Sequence, residues 1–187
     1  MKKQRNQSRF KPEMSQVWLL LLVLWTVLIF GHSLTPAELS SKESGWVMDC
    51  LLKVLGVFGS KGSWLTGYIV RKGAHFTEYF IFGVLLIQNF HGLWQDFGRK
   101  RGGFKQNRLE KIFPLMFAVL AVPFFDETIQ LFVEGRAGQI SDVWLDISGA
   151  VCGILFREAA AVLLKRWSGS FRLRRRKRIT GGKPWHR

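Results

Sequence analysis

The sequence is poor in cysteine and in acidic residues. Of its 187 residues only Cys50 and Cys152 are cysteines. The second lies inside an apolar run, so we expect no disulfide framework. There are 13 Asp and Glu residues against 28 Lys and Arg, which gives a formal net charge of +15. We do not expect nucleic-acid binding, because the basic residues lie between long apolar runs instead of on one face.

Charged residues are also missing from long stretches, of which Met14 to Ala37 is the first. The chain is 48% hydrophobic, and apolar blocks that alternate with basic blocks are typical of a small multi-spanning membrane protein. A helix needs about 20 apolar residues to cross a bilayer. We therefore predict an all-α integral membrane bundle, with a transmembrane domain over residues 1–164 and a basic tail over 165–187. Its four spans are predicted at about residues 15–34, 73–91, 112–132 and 142–164.

The first apolar segment has a second interpretation as a cleaved signal peptide. The segment is longer than an ordinary signal-peptide core, and no small-x-small cleavage site follows it, so we predict an uncleaved anchor. Between the first two spans, Trp46 to Phe58 is predicted to form a short amphipathic helix in the membrane interface. A helix packed on the bundle is the alternative for this segment.

The distribution of basic residues predicts the orientation of the chain. The N-terminus, the loop around residues 95–111 and the tail at 165–187 are rich in Lys and Arg. Four spans place these three segments on the same side, which the positive-inside rule makes cytoplasmic. We therefore predict a multi-pass protein of the cell membrane with both termini in the cytoplasm. Residues 35–72 and the turn at 134–141 then face outward.

Polar residues gather at the predicted outer ends of three spans. They are Arg71, Lys72, His75 and Glu78 at the second span, Asp126, Glu127, Gln130 and Glu134 at the third, Arg136 in the next turn, and Asp142 and Asp146 at the fourth. Helical spacing places Asp142 and Asp146 on one face with Gly149 and Gly153, which allow a close helix approach. Charges in a membrane are costly unless they are paired or hydrated. Two interpretations follow: an internal ion-pair network that fixes packing, and a polar pocket that opens to the outer leaflet.

The chemistry of this polar set is not specified by a known catalytic spacing. His75 beside several carboxylates suits acid–base chemistry. Carboxylates and one histidine can also hold a divalent cation. The spacing matches no specific metal motif, so we predict no metal site. Ser33, at the outer end of the first span, is a candidate nucleophile by position only.

Four segments of the sequence resemble the VanZ family of membrane proteins. They are IFGHS at residues 29–33, RKGAHFTEY at 71–79, DETIQLF at 126–132 with Arg136 after it, and DVWLDISG at 142–149. Each resembles a family block and stands at the expected place relative to a predicted span. The resemblance implies a membrane protein of about four helices and a link to reduced susceptibility to teicoplanin.

With this resemblance, two functions remain open. In the first, a pocket at the outer leaflet binds an anionic lipid, a cell-wall precursor or the glycopeptide itself, held by forked donors such as those of Arg71. In the alternative, an intramembrane enzyme acts on a lipid-linked phosphate or cell-wall precursor. The catalytic candidates are His75, Glu78 and Asp126, and the ligand-binding candidates are Arg71, Lys72, Tyr79, Glu127, Gln130, Arg136, Asp142 and Asp146. A transporter is a third class, although the sequence has no visible internal repeat.

Overall fold

A computed structural model describes residues 12–58, 62, 64–100 and 108–180 of the chain. The regular structure of this part is entirely helical, which confirms the predicted all-α class. Its helices are α1 (Pro12–Ser33), α2 (Ala37–Val57), α3 (Gly67–Lys100), α4 (Arg108–Gln130) and α5 (Ile140–Thr180). The predicted basic N-terminus (1–11), the middle of the basic loop (101–107) and the end of the tail (181–187) lie outside the described residues. The chain divides into two compact units, Met1–Ile154 and Leu155–Arg187, and the site described below belongs to the first.

Within the described part, three helices are long and apolar enough to cross a membrane. The segments are Gln16–Ser33, Ile112–Gln130 and Ile140–Trp167, and they correspond to three of the four predicted spans. Large apolar side chains on them remain exposed, including Val27 at 61% and Phe117 at 62%. Such extensive apolar exposure is typical of a surface that faces lipid. The family resemblance and these segments together indicate a membrane protein.

The second predicted span, residues 73–91, lies inside α3 and is less apolar than the other three. Polar residues such as His75, Glu78 and Asn89 lower its mean hydropathy. However, α3 packs against α1, α2 and α4, and Tyr79 and Phe82 on it are buried. A polar helix is tolerated at membrane depth when protein shields its polar side chains from lipid. The four-span topology stays a prediction.

Glycines bring α3 and α5 into close contact. A Cβ atom added at Gly149 would lie 2.7 Å from the carbonyl oxygen of Phe76. Added at Gly83 or Gly153, it would overlap the backbone of the facing helix. Small residues allow such an approach between membrane helices, as we predicted for Gly149 and Gly153. The close approach carries the first turns of α5 to the polar end of α3.

The helix α2 is longer than the predicted Trp46–Phe58 segment. It begins after Pro36, which has φ −56° and ψ 149°, an extended conformation that suits a residue flanking a helix. Its first turn carries Glu38, which pairs with Lys42 at 2.9 Å. None of its residues is buried, although α2 contacts α3. This additional N-terminal half is polar and brings serines close to the first turns of α3.

Candidate functional site

A chain of buried hydrogen bonds joins the ends of α1 and α4. The hydroxyl of Ser33 donates to Asp126, and both side chains are buried. The amide of Gln130 donates to Glu127 at 3.1 Å and lies 3.5 Å from the Ser33 hydroxyl. The other carboxylate oxygen of Glu127 accepts a bond of 2.9 Å from the backbone N–H of Gln139. These bonds hold α1, α4 and the turn before α5 in a fixed arrangement.

Helices α3, α4 and α5 bring four polar side chains together: His75, Tyr79, Asp126 and Asp146, named here the buried polar cluster. Nδ1 of His75 lies 3.9 Å from Oδ1 of Asp146. One ligand-capable atom from each of His75, Asp126 and Asp146 lies within 4.8 Å of the other two. Tyr79 packs edge-to-face on Phe82, with ring centroids 6.1 Å apart, and its side chain interacts electrostatically with Asp126 and Asp146.

Several polar atoms of the buried polar cluster make no hydrogen bond with the described residues. They are Nδ1 of His75 and both carboxylate oxygens of Asp146, together with the hydroxyl of Tyr79 and Oδ2 of Asp126. The Tyr79 hydroxyl nevertheless lies near the Asp126 carboxylate, without well-formed hydrogen-bond geometry. Tyr79 and Asp146 are each 0% exposed. Most buried polar atoms in folded proteins have a partner, and each exception calls for an explanation such as a bound ion, water or ligand. The cluster therefore has the properties of a binding or reaction site.

The basic side chains near the cluster contact other groups. Lys72 pairs with Asp142, Arg71 donates to the hydroxyl of Ser41 at 3.0 Å, and Arg136 donates to two backbone carbonyl oxygens. Burial lowers the pKa of Arg136, and the positive charge of Arg71 acts in the same direction. The two guanidinium groups are therefore close enough to repel each other, whereas the carboxylates of Asp126, Glu127 and Glu78 act on Arg136 in the opposite direction.

A polar pocket of about 120 Å³ lies beside the cluster. It is lined by His32, Ser40, Glu43, Ser44, Val47, Val70, Arg71, Ala74, His75, Glu78 and Arg136. Next to this polar pocket is an apolar groove of about 510 Å³, lined mainly by Trp25, Leu51, Ile69, Ile81 and their neighbours. The pocket and the groove share Val47, Val70, Ala74 and Glu78. The polar pocket, which is lined by charged residues, thus borders the apolar groove.

The predicted site residues fall into three places. His75, Tyr79, Asp126 and Asp146 form the buried polar cluster, and Glu127 and Gln130 are hydrogen-bonded next to it. Arg71, Glu78 and Arg136 line the polar pocket. The pair of Lys72 and Asp142 stands apart, because neither residue lines the polar pocket or belongs to the cluster. Among the described residues, neither Arg71 nor Arg136 forms an ion pair. The interpretation of the polar set as a complete ion-pair network therefore does not match the described part of the structure.

Sequence reasoning missed two contributions to the site. Nδ1 of His32 lies 2.5 Å from a carboxylate oxygen of Glu78, and the position of His32 directly before Ser33 was a signal for it. The α2 serines, Ser40 and Ser44, also line the polar pocket. They had no signal in the sequence, since the polar half of α2 lacks helical hydrophobic periodicity.

Comparison with protein families decides the relationship of this chain to known proteins. The model of the VanZ/LLP1 family matches residues 18–161. The chain belongs to the VanZ/LLP1 family. The match contains the buried polar cluster and the polar pocket, and it confirms the resemblance expected from the four sequence segments. Neither the curated proteins nor the solved structures contain a significant match to this VanZ/LLP1 chain.

Proposed function

We propose that this VanZ/LLP1 protein is a multi-pass protein of the cell membrane that binds an anionic, lipid-linked component of the cell envelope at the outer leaflet. The observation that carries the proposal is the polar pocket, where two arginines stand beside an apolar groove. In the proposed topology, α1, α3, α4 and α5 cross the membrane and both termini are cytoplasmic. The pocket then opens at the outer surface.

The composition of the two cavities favours an amphiphilic ligand. Arg71 and Arg136 offer forked donors that suit a phosphate or carboxylate, and the serines of α2 add neutral donors. The apolar groove can accommodate a hydrocarbon chain, because its lining is largely apolar. An anionic lipid and a lipid-linked cell-wall precursor both have this combination. A lipid-tailed glycopeptide has it too, which supports the proposed link to teicoplanin resistance.

Antibiotic susceptibility tests the resistance part of this proposal. We would express the wild type, Arg71→Gln, Asp126→Asn and the control Lys42→Gln in a Gram-positive host that lacks the protein. Lys42 is an exposed residue whose ammonium contacts Glu38 on the same helix. We expect the wild type and the control to protect more against teicoplanin than against vancomycin. Arg71→Gln and Asp126→Asn should lose this protection at equal membrane abundance.

The outcome separates resistance from ligand binding. A well-expressed wild type that gives no protection contradicts the resistance role of this protein. Protection that survives both substitutions contradicts the placement of that role at the polar pocket and the buried polar cluster. Binding of an anionic lipid is measured separately and does not depend on the antibiotic.

A second function, an intramembrane enzyme acting on a lipid-linked phosphate or cell-wall precursor, is favoured by the buried polar cluster. A histidine beside two carboxylates can move a proton in such a site, and Asp126 accepts a hydrogen bond from Ser33. In this case His75→Gln should abolish the lipid change that the wild type causes in host membranes, as measured by lipid mass spectrometry. Identical lipid profiles for wild type, His75→Gln and empty vector would contradict an enzyme.

A further inference from the structure

We propose that His75, Asp126 and Asp146 form a site for one divalent metal ion of the Zn²⁺ or Mn²⁺ class. The three residues come from different helices, and one ligand atom of each lies within 4.8 Å of the others. Two metal–ligand bonds of about 2.0–2.2 Å that meet at a tetrahedral angle place their ligand atoms about 3.3–3.6 Å apart. The spacing of 3.9 Å between Nδ1 of His75 and Oδ1 of Asp146 is slightly longer, so small side-chain rotations would bring these two atoms to one metal.

The charge of the site favours a bound cation. Asp146 is 0% exposed, and neither of its carboxylate oxygens has a hydrogen-bond partner among the described residues. Asp126 accepts a hydrogen bond from Ser33 on one oxygen, and its Oδ2 makes no well-formed hydrogen bond. The neighbouring basic side chains Lys72, Arg71 and Arg136 contact other groups. A buried carboxylate is costly unless it is protonated, paired or bound to a metal, and a divalent ion would serve both carboxylates at once.

Two residues outside the ligand set support the site. The hydroxyl of Tyr79 is buried without a partner and lies in the electrostatic neighbourhood of Asp126 and Asp146. It is therefore placed to donate a hydrogen bond to a ligand oxygen or to a metal-bound water. The hydroxyl of Ser33 donates to Asp126 and orients this carboxylate. Metal-ligating carboxylates are commonly held by hydrogen bonds of this kind.

The donor set selects the class of metal. Ca²⁺ and Mg²⁺ prefer oxygen ligands only, whereas one imidazole with two carboxylates suits Zn²⁺ and also Mn²⁺. Three protein ligands leave at least one coordination position open, as in catalytic zinc sites. Because His75 also lines the polar pocket, the metal would add positive charge beside that pocket. His75 would then act as a ligand and would not be free to move a proton.

Metal content tests the proposal directly. The full-length protein, purified in detergent and treated with a chelator, is dialysed against Mn²⁺ or Zn²⁺ alone and analysed by inductively coupled plasma mass spectrometry. We expect one metal ion per chain in the wild type and in the control Lys42→Gln, whose exposed ammonium contacts Glu38 on α2. Asp146→Asn should hold about a tenth of the wild-type metal content or less, because the substitution removes a carboxylate ligand. Equal metal content in wild type and Asp146→Asn would overturn the site, as would wild type that holds almost none.

A spectroscopic measurement on the wild type identifies the ligand. Mn²⁺ bound through His75 should show coupling to a directly bonded nitrogen in pulsed electron paramagnetic resonance, and His75→Gln should lose this coupling. Bound Mn²⁺ without the nitrogen coupling would overturn the assignment even if Asp146→Asn does not fold. The wild type is also tested for anionic-lipid binding in the presence of chelator, so failure of the metal site is distinguishable from failure of the proposed function.

Discussion

The side chain of Asp146 offers a stability prediction that distinguishes a functional site from structural packing. Asp146 is fully buried and both of its carboxylate oxygens lack partners. Such a group destabilises the metal-free protein, because water no longer solvates it and the structure does not replace that solvation. We therefore expect Asp146→Asn, which keeps the shape and removes the ionisable carboxyl group, to stabilise the protein in the presence of chelator.

The expected magnitude follows from the missing partners. A buried polar group without a partner costs about 1–3 kcal/mol, and more when it is charged. Asparagine removes the ionisable group but retains a polar amide in the same place, so we expect only part of this cost to be recovered. A gain of about 1–2 kcal/mol corresponds to a rise of about 2–8 °C in the melting temperature for a chain of this length.

Thermal unfolding in detergent with chelator, followed by circular dichroism, measures this change. Asp142→Asn is the matched control, because it removes a carboxylate from the same helix that does have a partner, Lys72. The control should lower stability by about 1–3 kcal/mol, since it leaves a partly buried ammonium without its partner. If Asp146→Asn instead lowers stability by about 3–5 kcal/mol, the amount typical of a broken buried ion pair, Asp146 belongs to a structural network. The interpretation of the cluster as a binding site would then be wrong.

Three further predictions concern the buried hydrogen bonds, the helix contacts and the metal. Ser33→Ala should lower the free energy of unfolding by about 1.5–3 kcal/mol, because it removes a buried bond to a carboxylate. Tyr79→Phe should lower it by less than about 1 kcal/mol, because no well-formed hydrogen bond is lost. Equal effects in chemical denaturation would contradict the structure. Gly153→Leu should prevent the close approach of α5 to α3 and abolish the monodisperse peak in size-exclusion chromatography, while Gly31→Ala, with open space around it, should leave the peak intact. Zn²⁺ at about 100 times its Kd should stabilise the wild type by about 2.7 kcal/mol and should leave the melting temperature of Asp146→Asn unchanged.

The apolar segments were the most predictable part of the fold. The first predicted span, 15–34, and the observed segment Gln16–Ser33 agree because a long uncharged run has few alternatives to a membrane helix. The start of α2 could not be predicted in this way. Hydrophobic periodicity begins near Trp46, but the helix begins after Pro36, and its first half is polar. Tertiary contacts hold that half in place: the N–H of Ala37 donates to the carbonyl oxygen of Glu134, and Ser41 contacts Arg71 of α3.

The polar residues of the site were predictable as a set but not as pairs. Helical spacing placed Asp142 and Asp146 on one face, and the structure gives them different partners. Asp142 pairs with Lys72, whereas Asp146 faces His75. Which residue meets which depends on the rotation and depth of each helix, and these follow from contacts such as that of Gly149 with the backbone of Phe76. A single sequence contains no direct signal for such tertiary geometry.

Lipid selectivity tests the central claim, that the polar pocket binds an anionic amphiphile. We would measure bound phosphatidylglycerol and phosphatidylcholine by native mass spectrometry on the wild type, Arg71→Gln and the control Lys42→Gln, all with chelator. We expect the wild type to prefer phosphatidylglycerol roughly tenfold, a difference of about 1.4 kcal/mol, because phosphatidylcholine carries the same phosphate beside a cationic choline that the arginines repel. The preference should persist in Lys42→Gln and disappear in Arg71→Gln. Equal binding of the two lipids by the wild type, or an unchanged preference in Arg71→Gln, would contradict the account.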